Sequence, residues 1–93
     1  MFVNFEWDPA KASRNRRKHR VSFQEAATIF GDPLAITFPD PDHSASEQRF
    51  ITLGTSSMNR ILIVAHIDRD QNVRIISARK ATHRERKHYE EKN

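Results

Sequence analysis

The stretch RILIVAHIDRDQNVRIISAR, residues 60–79, decides the fold because it holds two strand patterns joined by a short polar turn. Arg60 to Asp68 is the most continuously apolar run of the chain, which predicts that it forms the central strand. The polar run from Asp68 to Asn72 predicts a hairpin turn, so the strand from Val73 to Arg79 should be antiparallel to it. Strict alternation places Val73, Ile75, Ser77 and Arg79 on one face of that strand, and Arg74, Ile76 and Ala78 on the other.

The residues before this hairpin predict a strand followed by two helices. The aromatic-rich segment from Phe2 to Trp7 fits a first strand. Asp8 and Pro9 suit the N-cap and the first position of a helix that extends to about His19. Ser22 to Glu25 has the sequence of a capping box, in which each side chain satisfies a free backbone donor of the other residue. The second helix should end at Gly31 to Pro33, which break helices.

Two more strands and a last helix complete the prediction. Leu34 to Phe38 suits a short strand, and Glu47 to Gly54 alternates so that Arg49 shares a face with Ile51 and Leu53. Thr82 to Glu85 is a second capping box, and it begins a helix that runs through Tyr89 to about Glu91. We therefore expect a single α+β domain over residues 1–93, an antiparallel sheet covered on one face by helices.

The composition excludes several classes of protein. The chain has 93 residues and no cysteine, so a disulfide framework and a thiolate metal site are impossible. No apolar run approaches the length of a membrane span, and the first residues lack the pattern of a signal peptide. The sequence therefore predicts a cytoplasmic protein with no membrane partner.

Positive charge is concentrated in two blocks. The formal net charge is +4, but Lys11 to Arg20 holds six lysines and arginines and no acid. The second block consists of Arg79, Lys80, Arg84, Arg86 and Lys87, diluted by Glu85. Such segregation favours a polyanionic partner, although each block taken alone would also suit a solvated helix face. The candidate nucleic-acid-binding residues are Arg14, Arg17, Lys18, Lys80 and Arg84.

The available chemistry points to RNA rather than DNA. We find no metal-ligand spacing, no glycine-rich phosphate loop and no serine-nucleophile motif, so no cofactor is expected. RNA carries its own nucleophile, the 2′-hydroxyl, and an enzyme must only orient it, neutralise the phosphate and move protons. Arginines held on strands, such as Arg49, Arg74 and Arg79, suit the second task because their donors match phosphate oxygens.

Each candidate also has a structural interpretation. His19 would interact with the carbonyl groups at the end of its helix, and His43 lies in a polar loop. His66, inside the apolar strand, favours a packed structural role, and Tyr89 would pack the last helix on the sheet. Arg49 is either paired with Glu47 or displayed for phosphate.

Ordered blocks along nearly the whole chain resemble the BrnT toxins of bacterial type II toxin-antitoxin systems. The blocks are Phe5-Glu6-Trp7-Asp8, Lys18 to Ala26, Phe30 to Pro33, Asp42-His43, Glu47-Gln48-Arg49, Arg74 to Ala81, Glu85-Arg86 and Tyr89. One departure is Arg20, since many relatives have glycine after the histidine, where it suits a left-handed helix cap.

The resemblance implies a RelE-like fold and a ribonuclease that blocks translation. It also implies a BrnA-type antitoxin that neutralises the toxin and brings a ribbon-helix-helix region, so that operator DNA is contacted only through the antitoxin. The residues carried over as catalytic candidates are Arg49, Arg74, Arg79, His19, His43, Glu47 and Tyr89.

Two other functions share the same sequence features. A small non-catalytic nucleic-acid-binding module would use the same basic helices but leave RNA intact, with affinity that falls as salt rises. The scarcity of exposed aromatic residues for stacking single strands disfavours it mildly. A protein-interaction partner would use the cationic face to dock an acidic helix.

Overall fold

The computed structural model describes residues 3–40 and 47–92, which form one five-stranded sheet and three α-helices. The helices are α1 (Pro9–His19), α2 (Phe23–Thr28) and α3 (His83–Lys92), and the strands are β1 (Asn4–Glu6), β2 (Ile36–Pro39), β3 (Arg49–Thr55), β4 (Ile61–Arg69) and β5 (Asn72–Lys80). The strand order is β1-β5-β4-β3-β2, so the most apolar stretch of the sequence is the central strand, as predicted. The predicted α+β class and the order of the elements are confirmed.

The sheet is mixed rather than purely antiparallel. β2, β3, β4 and β5 are antiparallel neighbours, but β1 lies parallel to β5, with Asn4 opposite Asn72 and Glu6 opposite Arg74. The expectation of an antiparallel sheet was therefore wrong for its first strand. A parallel pair needs a long connection, and the helices and strands between β1 and β5 provide one.

Helices α1 and α3 begin as the sequence predicts. The Asp8 side chain accepts a hydrogen bond from the Ala10 N–H at 2.9 Å, and Pro9 opens α1. At α3 the capping box is reciprocal, because Thr82 accepts from the Glu85 N–H at 3.2 Å and Glu85 accepts from the Thr82 N–H at 2.8 Å. No helix in the described part of the chain has the length and apolar character needed to cross a membrane.

The capping box predicted for α2 is only half formed. Ser22 accepts from the Glu25 N–H at 3.0 Å, as expected. The Glu25 carboxylate is instead turned toward the sheet, where it accepts from Ser56 at 2.7 Å and pairs with the Arg60 guanidinium. This ion pair, whose carboxylate is buried, joins α2 to the connection between β3 and β4, and hydrogen bonding from Arg60 lowers the pKa of Glu25 despite its burial.

Helices cover both faces of the sheet, so the expectation of one covered face was wrong. On one face Val21 and residues of α2 pack on Leu62, Val64 and Ile75. On the other face Tyr89 of α3 packs on Leu53 and Ile63. Neighbouring residues of a strand point to opposite faces, so the continuous apolar run of β4 supplies both cores.

A β-bulge in β5 reverses the predicted alternation. Ala65 is paired with Ser77, but the next residue of β4, His66, is paired with Ile75, so Ile76 is an extra residue. As a result Val73, Ile75 and Ala78 are all buried against the α2 side. Arg74 and Arg79, which strict alternation places on opposite faces, therefore share one face.

Candidate nucleic-acid interface

The face of the sheet opposite α1 and α2 is covered by α3 at one end only. Three rows of paired residues cross it, and we call this surface the open face. The first row is Arg49, Ile67 and Arg74; the second is Phe38, Ile51, Ala65 and Ser77; the third is Ile36, Leu53, Ile63 and Arg79, beneath α3. Ser77 is exposed and Ile51 and Ala65 are partly exposed, so the second row is accessible to a ligand.

The open face carries all three of the strand arginines that the sequence singled out. Arg49 and Arg74 flank Ile67 in the first row, and Arg79 stands two rows away. At the usual rise of a strand, four residues separate the first and third rows by roughly 13 Å. About a third of the Arg74 side chain and 40% of the Arg79 side chain are exposed to solvent.

The three arginines differ in how firmly they are held. Both terminal nitrogens of Arg79 donate to the Glu85 carboxylate, at 2.8 and 2.9 Å, and this pairing helps lower the pKa of Glu85 to about 2. Arg74 approaches Glu6 only loosely, at 3.8 Å. Within residues 3–40 and 47–92, no carboxylate forms an ion pair with Arg49. Arg49 and Arg74 are therefore the more available donors for a phosphate.

Glu47 is paired with Arg69 rather than with Arg49. The two side chains form a bidentate ion pair, with nitrogen–oxygen distances of 2.8 and 2.6 Å, and both are exposed. Hydrogen bonding from Arg69 lowers the pKa of Glu47. Of the two alternatives for Arg49, pairing with Glu47 is therefore not formed, and display for phosphate stays a prediction.

Part of α1 adjoins the open face. Lys11, Arg14, Lys18 and His19 border a depression of about 330 Å³ together with Ile76 and Ser77 of β5. Since Ser77 belongs to the second row, these cations continue the open face beyond its edge. Arg17 lies elsewhere, beside Ser13, Arg16 and Arg20.

Asn15 sets the rotation of α1, and sequence reasoning missed it. It is 8% exposed in the middle of the most cationic helix. Its amide donates to the carbonyls of Val21 and Ala78, at 2.9 and 2.8 Å, and accepts from the Ala78 N–H at 3.1 Å. The Asn15 side chain thus satisfies both backbone polar groups of Ala78 at the free edge of β5. The available signal was asparagine itself, which is a poor residue for a helix interior.

Tyr89 is held by its hydroxyl as well as by its ring. Only 7% of the residue is exposed, and the ring packs on Leu53 and Ile63. The hydroxyl donates to the Asp32 carboxylate at 2.5 Å and accepts from Thr55 at 3.0 Å. Burial, reinforced by Asp32, raises the pKa of Tyr89. This arrangement fits the anchoring interpretation of Tyr89, and Asp32 is a partner that the sequence analysis did not identify.

The remaining candidates are distributed over two sides of α3. Arg84 borders an apolar groove of about 310 Å³ on the open face, next to Arg79 and Glu85; His88, which the sequence analysis did not select, lies there too. Lys80 lies on another side of α3, near Arg60, Arg86 and Glu90. His43 falls outside the described residues. Within the described ranges, no three histidine, aspartate or glutamate side chains form a group that could hold a metal ion.

Comparison with known proteins identifies the family. Residues 7–85 match the family model described as the ribonuclease toxin, BrnT, of type II toxin-antitoxin systems. The chain belongs to the BrnT family. A search of curated proteins found no match. Family membership implies ribonuclease activity on RNA and, because the system is of type II, a protein antitoxin as partner.

The fold is similar to that of a solved member of the BrnT family. A crystal structure of the ribonuclease toxin BrnT of Brucella abortus superposes with a TM-score of 0.68 over 86% of this chain and 97% of that chain. The two sequences are 23% identical, so this likeness concerns the fold alone.

His66 has a position in this BrnT-family chain that fits its structural interpretation. It is 1% exposed and lies edge-on to the Phe30 ring, with ring centroids 4.9 Å apart. One ring nitrogen contacts the Thr52 hydroxyl and the other the Asp68 carboxylate, both at 2.7 Å. Burial lowers the pKa of His66, although Asp68 opposes the shift. His66 faces the α2 side, away from the strand arginines.

Proposed function

We propose that this chain cleaves RNA on its open face without a metal ion. The 2′-oxygen attacks the adjacent phosphorus while the bond from phosphorus to the 5′-oxygen breaks. A base takes the proton of the 2′-hydroxyl, and an acid supplies a proton to the departing 5′-oxygen. The products are a 2′,3′-cyclic phosphate and a 5′-hydroxyl, so atoms and charge balance without any further reactant.

The observation that carries this proposal is the placement of Arg49 and Arg74 on either side of Ile67. Arg49 lies on β3 and Arg74 on β5, and both strands pair with β4, so the separation of the two residues is set by the sheet rather than by a loop. Two guanidinium groups held in this way can share the non-bridging oxygens of one phosphate as negative charge grows there. They supply the positive charge that a divalent ion supplies in many nucleases.

Two described histidines border the open face and are our candidates for proton transfer. His88 lies at the groove beside α3, and His19 lies beside Ser77. Imidazole is the side chain that most often transfers protons in catalysis. His43 stays a prediction. The Tyr89 hydroxyl is engaged by Asp32, and Glu47 is engaged by Arg69, so we assign these two side chains supporting roles.

Cleavage of this kind in translated RNA would inhibit protein synthesis. We propose that a BrnA-type antitoxin neutralises the chain by covering the open face, where the available cations are concentrated. Under this proposal operator DNA is contacted only through the antitoxin, and covering the open face removes ribonuclease activity.

The first test compares Arg49→Ala and Arg74→Ala with Arg86→Ala as a matched control. Arg86 carries the same charge but lies on another side of α3. We expect each of the first two changes to lower the rate of RNA cleavage in the presence of a chelator by about 10²-fold, the cost of removing one transition-state donor. The Arg86 variant should cleave normally, and circular dichroism would verify that all three fold. Normal cleavage by both test variants would overturn the assignment.

Arg79 needs a second control because it also holds Glu85. Arg79→Ala removes both the ion pair and any contact with RNA, whereas Glu85→Gln removes the ion pair and keeps the guanidinium. If Arg79 binds the phosphate, cleavage should fall only in the Arg79 variant. Equal losses in the two variants would mean that Arg79 acts by fixing α3.

The same assay separates the toxin from a non-catalytic binding module. A nuclease should leave a cyclic phosphate or the 3′-phosphate derived from it, detected on end-labelled fragments. A binding module would shift RNA in a gel and leave it intact. Cleavage only in the presence of Mg²⁺ would contradict the metal-independent mechanism.

A further inference from the structure

The open face contains a groove with an apolar floor, and the proposed cleavage chemistry does not use that floor. The groove has a volume of about 310 Å³ and lies between the end of β2 and α3. Its floor is formed by Ile51, Leu53 and Ile63, and Phe38 stands at one side. Arg79, Arg84, Glu85 and His88 border it from β5 and α3.

The Phe38 ring is exposed to solvent, and contact between an aromatic ring and water is unfavourable. It is 37% exposed, and it is the only aromatic residue among the large apolar side chains that are exposed in the described part of the chain. Its partner across the strand pair is Ile51, so its ring stands beside the apolar floor of the groove. An exposed ring next to an apolar floor marks a surface that gains by being covered.

Positive charge lies on both sides of this apolar strip. Arg84 borders it at the α3 end, where the Arg79 guanidinium is also present in its ion pair with Glu85. Arg49 and Arg74 lie beyond the second row at the other end. Measured along the strands, the row of Arg49 and Arg74 and the row of Arg79 are roughly 13 Å apart, and Ile51, Ala65 and Ser77 lie between them. The order is therefore cation, apolar surface, cation.

The chemistry of a single-stranded nucleotide fits that order. A nucleobase has two flat faces that stack on aromatic rings, and it is carried between phosphates that pair with cations. The groove has the volume of a small-ligand pocket. An amphipathic helix, the alternative occupant, needs a longer apolar groove that takes side chains from two or three turns.

We propose that this groove is the subsite for one unpaired base of the RNA substrate, which stacks on Phe38 over the floor formed by Ile51, Leu53 and Ile63. The inference rests on the proposed function, because it assumes that RNA crosses the open face. A base enters the groove only when it is unpaired, so the substrate is single-stranded at this position. The phosphates on either side of the base then lie near the two groups of cations.

The test measures binding of short 2′-O-methyl oligonucleotides, which keep the bases and phosphates but lack the attacking hydroxyl. Each oligonucleotide is compared with versions in which one base at a time is missing. We expect the wild-type chain to lose about tenfold in affinity when one particular base is absent, the usual size of a stacking contribution. Phe38→Ala should lose about as much with the intact oligonucleotide and nothing more when that base is absent.

Two matched variants complete the design. Phe38→Tyr keeps a stacking ring and should retain the affinity. Met58→Ala removes another exposed apolar side chain, 64% exposed in the connection between β3 and β4, and should leave binding unchanged. Because Phe38 is exposed on an edge strand, its replacement leaves both buried clusters intact.

Three results would overturn the subsite: unchanged affinity of Phe38→Ala, an equal loss with intact and abasic oligonucleotides, or a loss of antitoxin binding alone. The last result would assign the groove to the protein partner. Failure of the proposed function is scored separately, as absence of cleavage of unmodified RNA by the wild-type chain. If the effects of Phe38→Ala and of removing one base on affinity depend on each other, but the wild-type chain does not cleave RNA, the subsite proposal stands and the nuclease proposal fails.

Discussion

His66 is the residue whose protonation should matter most for the stability of this protein. Its ring is buried against Phe30, and both ring nitrogens have polar partners, Thr52 and Asp68. Burial favours the neutral ring, and this lowers the pKa of His66 below its value in the unfolded chain. The unfolded state therefore binds a proton more readily than the folded state as the pH falls below about 6.5.

We predict that the free energy of unfolding decreases as the pH falls from 7.5 to 5.5. One additional proton in the unfolded state gives a slope of at most about 1.4 kcal/mol per pH unit. The carboxylates of Glu25, Asp32 and Glu85 have lowered pKa values, so they destabilise the fold only at lower pH, below about 4.5. Urea unfolding at several pH values would measure the slope.

His66→Gln should flatten this dependence, whereas His83→Gln, a change at an exposed histidine, should leave it as it is. An unchanged slope in the His66 variant would show that another group is responsible. The absolute stability of the His66 variant is expected to be lower, because Thr52 and Asp68 lose a ring partner; only the slope decides the question.

At the scale of an element, α1 ends in a conformation that its sequence does not favour. Arg20 has φ 60° and ψ 31°, the left-handed region, and its N–H bonds to the Arg16 carbonyl at 2.9 Å. This is the position at which the BrnT resemblance leads one to expect glycine. The turn is therefore kept although the residue is not glycine, and the cost is backbone strain of about 1 kcal/mol.

We predict that Arg20→Gly stabilises the protein by about 1 kcal/mol, because glycine adopts the left-handed conformation without strain. The backbone carbonyl of residue 20, which accepts from Arg60, is retained in this variant. A thermal unfolding midpoint raised by about 4–8 °C would match that gain for a domain of this size. Arg17→Gly, which removes the same charge inside the helix, should instead destabilise by about 1 kcal/mol. A lower midpoint for Arg20→Gly would contradict the assignment of strain.

At the scale of the whole molecule, the packing of α1 on the sheet decides which of its charged residues lie beside the open face. Asn15 joins α1 to the backbone edge of β5, and this contact leaves Arg14 and Lys18 beside Ser77 at the margin of the open face. Arg17 points to a different part of the surface. Only part of the basic block thus extends the surface on which RNA is proposed to bind.

We predict that replacing Arg14 and Lys18 together by glutamine reduces the salt dependence of RNA binding. Each phosphate contact with a single strand contributes about 0.7 to the slope of log K against log salt, so the slope should fall by roughly 1.4. Replacement of Arg16 and Arg86, which lie in other parts of the surface on α1 and α3, serves as the matched control. A slope that changes equally in the two double variants would mean that binding reflects net charge and not a defined surface.

The sequence alone was sufficient to predict the helices and strands. Asp8 and Pro9 predicted the start of α1, the Thr82–Glu85 box predicted the start of α3, and the apolar run of β4 predicted the central strand. These signals are local, because capping and strand patterning depend on residues a few positions apart. The charge blocks and the candidate arginines were likewise visible in the residues alone.

Contacts between residues far apart in the sequence could not be predicted from local patterns. Glu25 left its predicted capping box for Arg60, a partner 35 residues away, and Tyr89 bonded Asp32, 57 residues away. Phe38 could be recognised as a candidate binding residue only from the structure, which places β2 beside the apolar floor of the groove.

The amino-acid sequence by itself determined which segments become helices and strands, and that positive charge would be concentrated in two blocks. Tertiary structure alone decided that Arg49, Arg74 and Arg79 face the same way. The reason is one extra residue, Ile76, in β5: a strand alternates with period two, so a single insertion transfers every residue on one side of it to the other face. The extra residue is defined only by pairing with β4, and no pattern in the sequence of β5 indicates it.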